Sequence, residues 1–466
     1  MNEQQQSDKE PNEHDISISE NQLKQAHRIE PWLGRSFTCG SCGQQHQVPL
    51  RKVVLERGAM AALPAYAQER GLRNLLLVSD RRTAEAAGRK LLALCEEAQL
   101  QAQLCVLADD EHGELAADER AVVQLLLHVT PATQAIVAVG AGTLHDIVRF
   151  AAHRSGRVFL SVPTAPSVDG FASVGAPLIL GGFKQTIPAC SPEAIFGDLA
   201  VLATAPRPMV AAGFGDMLGK YTSLADWELG RVLLDEPLCE LAAEMTRQGL
   251  ELCIRHTEEI AAGTEKGLRK LMEGLLLSGI SMLIVGHSRP ASGGEHHLSH
   301  YWEMKFLQAG RRALLHGAKV GVAAVKMAAL YREAASRGAE AVRQSIRQRL
   351  ADPGYSAPDS ARAAIAAGYG AIATQAFEEN AAELDPARRT ALQRQLAERL
   401  GSRWDAVQAI CRSVPAPERL ADLLAAAGGP VTADQLGVEP QLVDESLRYA
   451  KYVRNRYTIM RLHEWL

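Results

Sequence analysis

The segment SGGEHHLSH (292–300) sets His296 and His300 one helical turn apart, and LLHG adds His316. Residues four apart share one face of a helix. The two imidazoles can therefore share a divalent cation, or one can bind it while the other faces its substrate. Ser292 and Glu295 stand in the S-x-x-E relation of a capping box, which predicts a helix start at Ser292. Gly293 and Gly294 would then occupy the first two helical positions, with their N–H groups open to an anionic ligand. Asp216, in GFGDMLGKY (213–221), is a carboxylate amid glycines and apolar residues and needs a partner. Lys220, one turn on, would supply one as a surface ion pair. Taken singly, Asp216, His296, His300 and His316 each read as structural. Taken together they offer one carboxylate and two or three imidazoles, a sufficient set for an open catalytic site on Zn²⁺, Fe²⁺ or Ni²⁺. His297 points to another face of the helix and reads as a supporting or structural residue.

A second chemistry is written earlier in the chain. In Val139-Gly140-Ala141-Gly142-Thr143-Leu144-His145-Asp146 a strand runs into glycines and then a helix, so the helix N-terminus can take a pyrophosphate. The full G-x-G-x-x-G is absent, and a glycine after a strand is often a plain turn. Thr164 to Ser173 (TAPSVDGFAS) follows another strand and carries three hydroxyls and Asp169. A polar loop there faces a ligand or caps a helix. Asp80, closing NLLLVSD (74–80), suits the ribose of NAD, whereas Arg81 and Arg82 suit the 2′-phosphate of NADP. Both cofactors stay open.

The elements that must position these residues are legible in outline. NLLLVSD (74–80), QLCVLADD (103–110), AIVAVGAG (135–142) and RVFLSVP (157–163) read as strands, with amphipathic stretches such as 82–98 between them. This alternation predicts a doubly wound, Rossmann-like parallel sheet, and ligands of such sheets sit beyond the carboxyl ends of the strands. After Pro206 the chain turns to Ala, Leu, Glu and Arg at helical period, with no convincing strand. The expected organisation is a disordered, polar extension over 1–34, an α/β dinucleotide-binding domain over 35–205, and an all-helical domain over 206–466 that binds metal and substrate.

Composition excludes several classes. A formal net charge of −4 gives no basic field for nucleic acid or anionic membrane. No apolar run approaches a membrane span, and the N-terminus has no signal-peptide pattern, so a cytoplasmic protein is expected. Six of the eight cysteines, Cys239 among them, lie scattered among apolar neighbours and read as buried thiols. Cys39 and Cys42 form a C-x-x-C with His46 close behind, half of a zinc knuckle. Zinc takes four ligands and only three are local, so the segment reads as a tight reverse turn in a β-hairpin.

TAPSVDGFAS, GFGDMLGK, SRPASGGEHHLSH and LLHG, in that order, resemble the glycerol-1-phosphate dehydrogenases of the iron-dependent alcohol dehydrogenase superfamily. CGSCGQQH near the start and YAKYVRNRYTIMRLHEWL at the end resemble the bacterial branch. The resemblance implies a dehydroquinate synthase-like architecture and metal-dependent, NAD(P)H-linked reduction of dihydroxyacetone phosphate to sn-glycerol 1-phosphate. It implies Asp216, His296 and His316 as metal ligands, Asp169, Asp216 and His300 against the substrate, and Asp216 and His300 as catalytic. It also implies cofactor contacts from Gly142, Thr143, Leu144, His145, Asp146, Thr164, Ala165, Pro166, Ser167 and Ser173, with Asp80 and Arg82 on the adenosine side. A homodimer with a phosphorylated triose as its small-molecule ligand follows by the same analogy. Glycerol dehydrogenase, without the phosphate, is the nearest rival. A dehydroquinate synthase-like lyase would carry Glu where Asp216 stands, and a degenerate binding protein would have lost a ligand. For the substrate phosphate, Gly293–Gly294, Lys220 and Arg289 are the candidates.

Overall fold

The computed structural model describes residues 20–110, 113–352 and 358–466. Among the described residues ten strands precede residue 199: β1 (Ser36–Thr38), β2 (Gln45–Gln47), β3 (Lys52–Glu56), β4 (Asn74–Ser79), β5 (Gln101–Val106), β6 (Ala135–Gly140), β7 (Val158–Pro163), β8 (Gly175–Leu180), β9 (Phe183–Pro188) and β10 (Ala194–Asp198). Six of them form one sheet in the order β3-β10-β7-β6-β4-β5, and every pairing in it is parallel. The four strands expected from sequence are β4 to β7. They are apolar runs because both faces of the sheet are covered. Leu75, Leu77, Val137, Val139 and Leu160 pack on one face, and Leu76, Val78, Ile136, Ala138 and Phe159 on the other. Each such side chain contributes about 1.5–3 kcal/mol by leaving water.

The chain steps outward from β4 to β5 and returns to the other side of β4 with β6. That reversal opens a crevice at the carboxyl ends of β4 and β6. The helix Gly142–Ser155 starts there, with Ala141 as its N-cap residue and no side chain capping it. Two features went unforeseen. β3 and β10 complete the sheet edge, and β8 and β9 form an antiparallel hairpin in the register Leu180 to Phe183. Its turn is Gly181-Gly182 at φ +56° and +78°, a left-handed pair that only glycine adopts without cost.

No strand occurs after Asp198 among the described residues. The helical half begins with Arg207–Leu218 and Lys220–Leu234, followed by Glu240–Arg255, Glu265–Val285, Gly294–Gln308 and His316–Ser336. Helices Arg207–Leu218 and His316–Ser336 cross at glycines. A Cβ on Gly317 would stand 1.8 Å from the Ala212 carbonyl oxygen, and one on Gly215 2.5 Å from that of Gly317. Gly213 likewise meets the Pro166 carbonyl, at 1.8 Å from an ideal Cβ, so the first of these helices also packs backbone to backbone on the Thr164–Ser173 loop. These contacts bring Asp216 and His316 together.

Of the extension expected to be disordered, residues 1–19 lie outside the described residues. Ala26, Ile29 and Trp32 are buried beside Val48 and Leu50 and against Leu241, Ala242 and Met245 of the helical half. The apolar residues of 20–34 are sparse but face the core, which low average hydrophobicity conceals. No helix among the described residues is long and apolar enough to cross a membrane.

Candidate active site

A cleft of about 730 Å³ lies between the carboxyl ends of the sheet and the helical half. Gly142, Thr143, Asp146, Ser167, Asp169 and Ser173 line it from one side, and His296, His300 and His316 from the other. The donor atoms of Asp216, His296 and His316 all lie within 4.8 Å of one another. His296 Nε2 is 3.7 Å from Asp216 Oδ1. The His296 and His316 rings stand 5.2 Å apart, and His300 is 5.9 Å from the first and 5.8 Å from the second.

Burial first, then neighbouring charge from Lys220, Lys184 and His296 respectively, pushes His296, His300 and His316 well below the usual imidazole range. Neutral imidazoles are the form that binds a cation. His296 Nδ1 is 2.7 Å from Glu295 Oε1. The other oxygen of Glu295 accepts from the Thr222 hydroxyl at 2.6 Å. This carboxylate–histidine pair fixes the tautomer that turns Nε2 toward the site.

Glu295 is therefore not the third residue of a capping box. The helix begins at Gly294 with Gly293 as N-cap residue, and the buried Ser292 hydroxyl has no hydrogen-bond partner. The glycine N–H groups are not open to a ligand either. Gly293 donates to Glu295 Oε1 at 2.7 Å and Gly294 to Asp226 Oδ2 at 2.6 Å. Two buried carboxylates have taken the helix N-terminus.

Asp216 is fully buried. Its Oδ2 accepts the Asp169 backbone N–H at 2.9 Å, and Lys220 Nζ lies 3.0 Å from its Oδ1 and 2.7 Å from Asp169 Oδ2. Lys220 is not a surface partner but a fully buried bridge between two carboxylates. Burial lowers its pKa, yet Asp169 and Asp216 outweigh this and raise it. Burial, then the charge of Asp169, pushes the Asp216 carboxyl up to about 6 against the pull of Lys220. Ser278 also donates to Asp169 Oδ2, at 2.8 Å. The loop that carries Asp169 is held by the buried Arg149, whose guanidinium reaches the carbonyls of Gly170, Phe171 and Gly175.

Several expected cofactor residues do not line the cleft. Leu144 belongs to the core under the sheet. His145 is buried between the Ala141 carbonyl, 2.9 Å from Nδ1, and the Ser161 hydroxyl, 2.8 Å from Nε2. Burial pushes it down to about 3, so it is a neutral strut between helix and strand. Thr164, Ala165 and Pro166 are buried behind the lining residues of their loop. Asp80 caps its own helix, accepting from the Thr83 N–H at 2.7 Å. Arg82 turns to the Gly113 carbonyl at 3.1 Å. His297 is buried with neither ring nitrogen hydrogen-bonded.

Other lining residues were not foreseen. Arg454 donates to Ser288 Oγ at 3.2 Å and to the Thr186 hydroxyl, and among the described residues it forms no direct ion pair, Glu379 acting on it only at longer range. Lys184, from β9, reaches Glu303 at 2.9 Å, and Lys319 meets the same carboxylate. Of the phosphate candidates, Lys220 is spent on the two aspartates and Arg289 on Glu236 at 2.9 Å.

The donor set fits a divalent cation: one carboxylate and two neutral imidazoles converge at a cleft and leave coordination positions open. The uncapped, glycine-led helix start opposite fits a cofactor pyrophosphate.

Fold and site together define a class. Residues 54–206 match the family model described as iron-containing alcohol dehydrogenase. Among solved structures, a probable glycerol dehydrogenase from Sinorhizobium meliloti superposes with a TM-score of 0.58 at 15% identity, covering 89% of this chain and 94% of that one. A sulfoacetaldehyde reductase from Bifidobacterium kashiwanohense in complex with NAD⁺ does so with 0.54 at 13% identity, covering 90% and 98%. These likenesses establish the fold. The relatives in sequence are narrower. The glycerol-1-phosphate dehydrogenase [NAD(P)+] of Geobacillus stearothermophilus is 41% identical over 93% of this chain and 96% of its own. That of Bacillus subtilis is 40% identical over 89% and 91%. The chain belongs to the glycerol-1-phosphate dehydrogenase family.

Proposed function

We propose that the protein is an NAD(P)-dependent sn-glycerol-1-phosphate dehydrogenase, reducing dihydroxyacetone phosphate reversibly. One observation carries the reading: an Asp/His/His donor set opens onto the same cleft as an uncapped glycine-led helix start. A divalent cation (Ni²⁺, Zn²⁺ or Fe²⁺) held by Asp216, His296 and His316 supplies Lewis-acid polarisation of the ketone. NADH or NADPH, held along Gly142, Thr143, Asp146, Ser167 and Ser173, which line the cleft, supplies the hydride.

The chain's own residues do the rest. Lys220 and Ser278 occupy Asp169 Oδ2, which leaves Oδ1 to orient a substrate hydroxyl. His300, neutral and beside both ligating imidazoles, hydrogen-bonds the reacting oxygen and relays its proton. Arg454, with two hydroxyl partners and no paired carboxylate, and the unpartnered Ser292 hydroxyl are the groups for the substrate phosphate. In this reading residues 35–205 bind the cofactor and 206–466 the metal and substrate, and the protein works in the cytoplasm as a homodimer.

The test offers the metal-reconstituted protein dihydroxyacetone phosphate and plain dihydroxyacetone in parallel while NADH oxidation is followed. Preference for the phosphorylated ketone, abolished by a chelator, is expected. In reverse, sn-glycerol 1-phosphate is oxidised and its 3-phosphate enantiomer is not. Preference for the plain ketone would make the protein a glycerol dehydrogenase instead. Light scattering in solution tests the dimer.

A further inference from the structure

The fold resolves the half-knuckle near the N-terminus. Cys39 follows β1, Cys42 lies in the turn, and His46 is the middle residue of β2. The fourth group comes from 193 residues away. Cys239, the N-cap residue of the helix Glu240–Arg255, meets the other three, and one donor atom from each of the four lies within 4.8 Å of all the others. Counting local ligands alone had left this set one short.

The separations match a metal tetrahedron. Zn–S bonds of about 2.3 Å and Zn–N bonds of about 2.0–2.1 Å imply tetrahedral edges of about 3.8 Å between sulfurs and about 3.6 Å between sulfur and nitrogen. Cys39 Sγ to Cys239 Sγ is 3.7 Å, Cys239 Sγ to His46 Nε2 is 3.6 Å, and Cys42 Sγ to His46 Nε2 is 3.2 Å. A disulfide would need sulfurs at about 2.05 Å, and all eight cysteines are free thiols.

The surroundings suit the same species. Gly43, at φ +67°, reverses the chain directly after Cys42, and its N–H donates to the Cys39 carbonyl at 2.8 Å. The Cys239 side chain makes no capping hydrogen bond to its own helix, and the positive N-terminal end faces sulfurs that would be thiolates. Ser41 Oγ accepts from the Leu241 N–H at 3.3 Å, joining hairpin to helix beside the cluster. Strands of three residues do not hold a hairpin by themselves, and this one meets the helical half where the four side chains come together.

We propose that Cys39, Cys42, His46 and Cys239 form a closed structural zinc site that fastens the N-terminal hairpin to the helical half. Three soft thiolates and an imidazole select zinc over the hard cations. Four protein ligands leave no position for a substrate. The site shares no residue with the Asp216–His296–His316 set and stands whether or not the proposed reaction does.

Cobalt separates the two sites. The whole protein is stripped with a chelator and reconstituted with Co²⁺. Only a sulfur-ligated ion gives a thiolate-to-cobalt charge-transfer band in the near ultraviolet, and the Asp/His/His set has no sulfur. The band is expected in the unaltered protein and in His296→Ala, and is expected to fall in Cys42→Ser, which removes one of the three thiolates, and in His46→Gln in proportion to the cobalt lost, since all three sulfurs remain. Native mass spectrometry of the zinc-loaded protein should show two ions per chain, falling to one in either group of variants. Absence of the band in the unaltered protein would overturn the proposal, as would its persistence in folded Cys42→Ser at full intensity. Neither outcome bears on the ketone reduced.

Discussion

Glu295→Gln tests whether the catalytic cation is tuned through His296. The substitution keeps the shape of the side chain. An amide oxygen in the place of Oε1 can still accept from Gly293 N and His296 Nδ1, both at 2.7 Å. The amide nitrogen in the place of Oε2 can donate to Thr222 Oγ1, whose own proton then goes to the Gly219 carbonyl at 3.0 Å. No buried polar atom loses its partner, so the fold should persist. The loss is charge. A hydrogen bond to an ionised group contributes about 1.5–3 kcal/mol and a neutral one about 0.5–1.5. The exchange thus costs about 1–1.5 kcal/mol of support for the imidazole, or about tenfold in affinity, at the lower end of the range known for such outer partners. Competition against a chromophoric chelator measures this directly, with circular dichroism as the control for folding. Near-equal metal affinity in Glu295→Gln and the parent would refute the argument, because Glu295 would then serve only as a packing group.

Other outcomes follow from the same contacts. Gly317→Ala places a Cβ at 1.8 Å from the Ala212 carbonyl and should destabilise by about 1–3 kcal/mol. A falling thermal midpoint together with weakened metal binding is expected, since the same contact sets Asp216 against His316. Arg454→Met should raise KM for dihydroxyacetone phosphate at least about tenfold, as expected for loss of a charged hydrogen bond, while KM for the nicotinamide cofactor stays unchanged; steady-state kinetics with each substrate varied decides it. Glu303 is buried, which raises its pKa, but Lys184 and Lys319 outweigh burial and hold it at about 2. Its folded pKa is thus depressed, so its contribution is complete above the ordinary glutamate range and is lost as pH falls toward about 2. Acid unfolding of Glu303→Gln should be correspondingly less steep between about pH 4.5 and 2, and an unchanged slope would dismiss the pairing.

What could be read from the sequence depended on how local each signal was. β4 to β7 announced themselves because strands buried on both faces must be apolar throughout. The β8–β9 hairpin also carried its sign, Gly181-Gly182 between PLIL and FKQT, but Pro177 and the polar residues of β9 masked it. His296 and His300 were paired correctly by the helical repeat, whereas Ser292-x-x-Glu295 misled. A capping box and a buried carboxylate behind a ligating histidine share one sequence pattern, and only burial of Glu295 against Thr222 separates them. Lys220 failed in the same way. A spacing of four fixes that it meets Asp216 but not that Asp169, from a loop 51 residues earlier in the numbering, closes over both. Cys239 and Arg454 gave no local sign, because each is brought to its place by tertiary packing across more than a hundred residues. Pattern thus finds the groups that face a site along one element. Groups that complete a site from other elements escape it, and here they include Arg454 and Cys239.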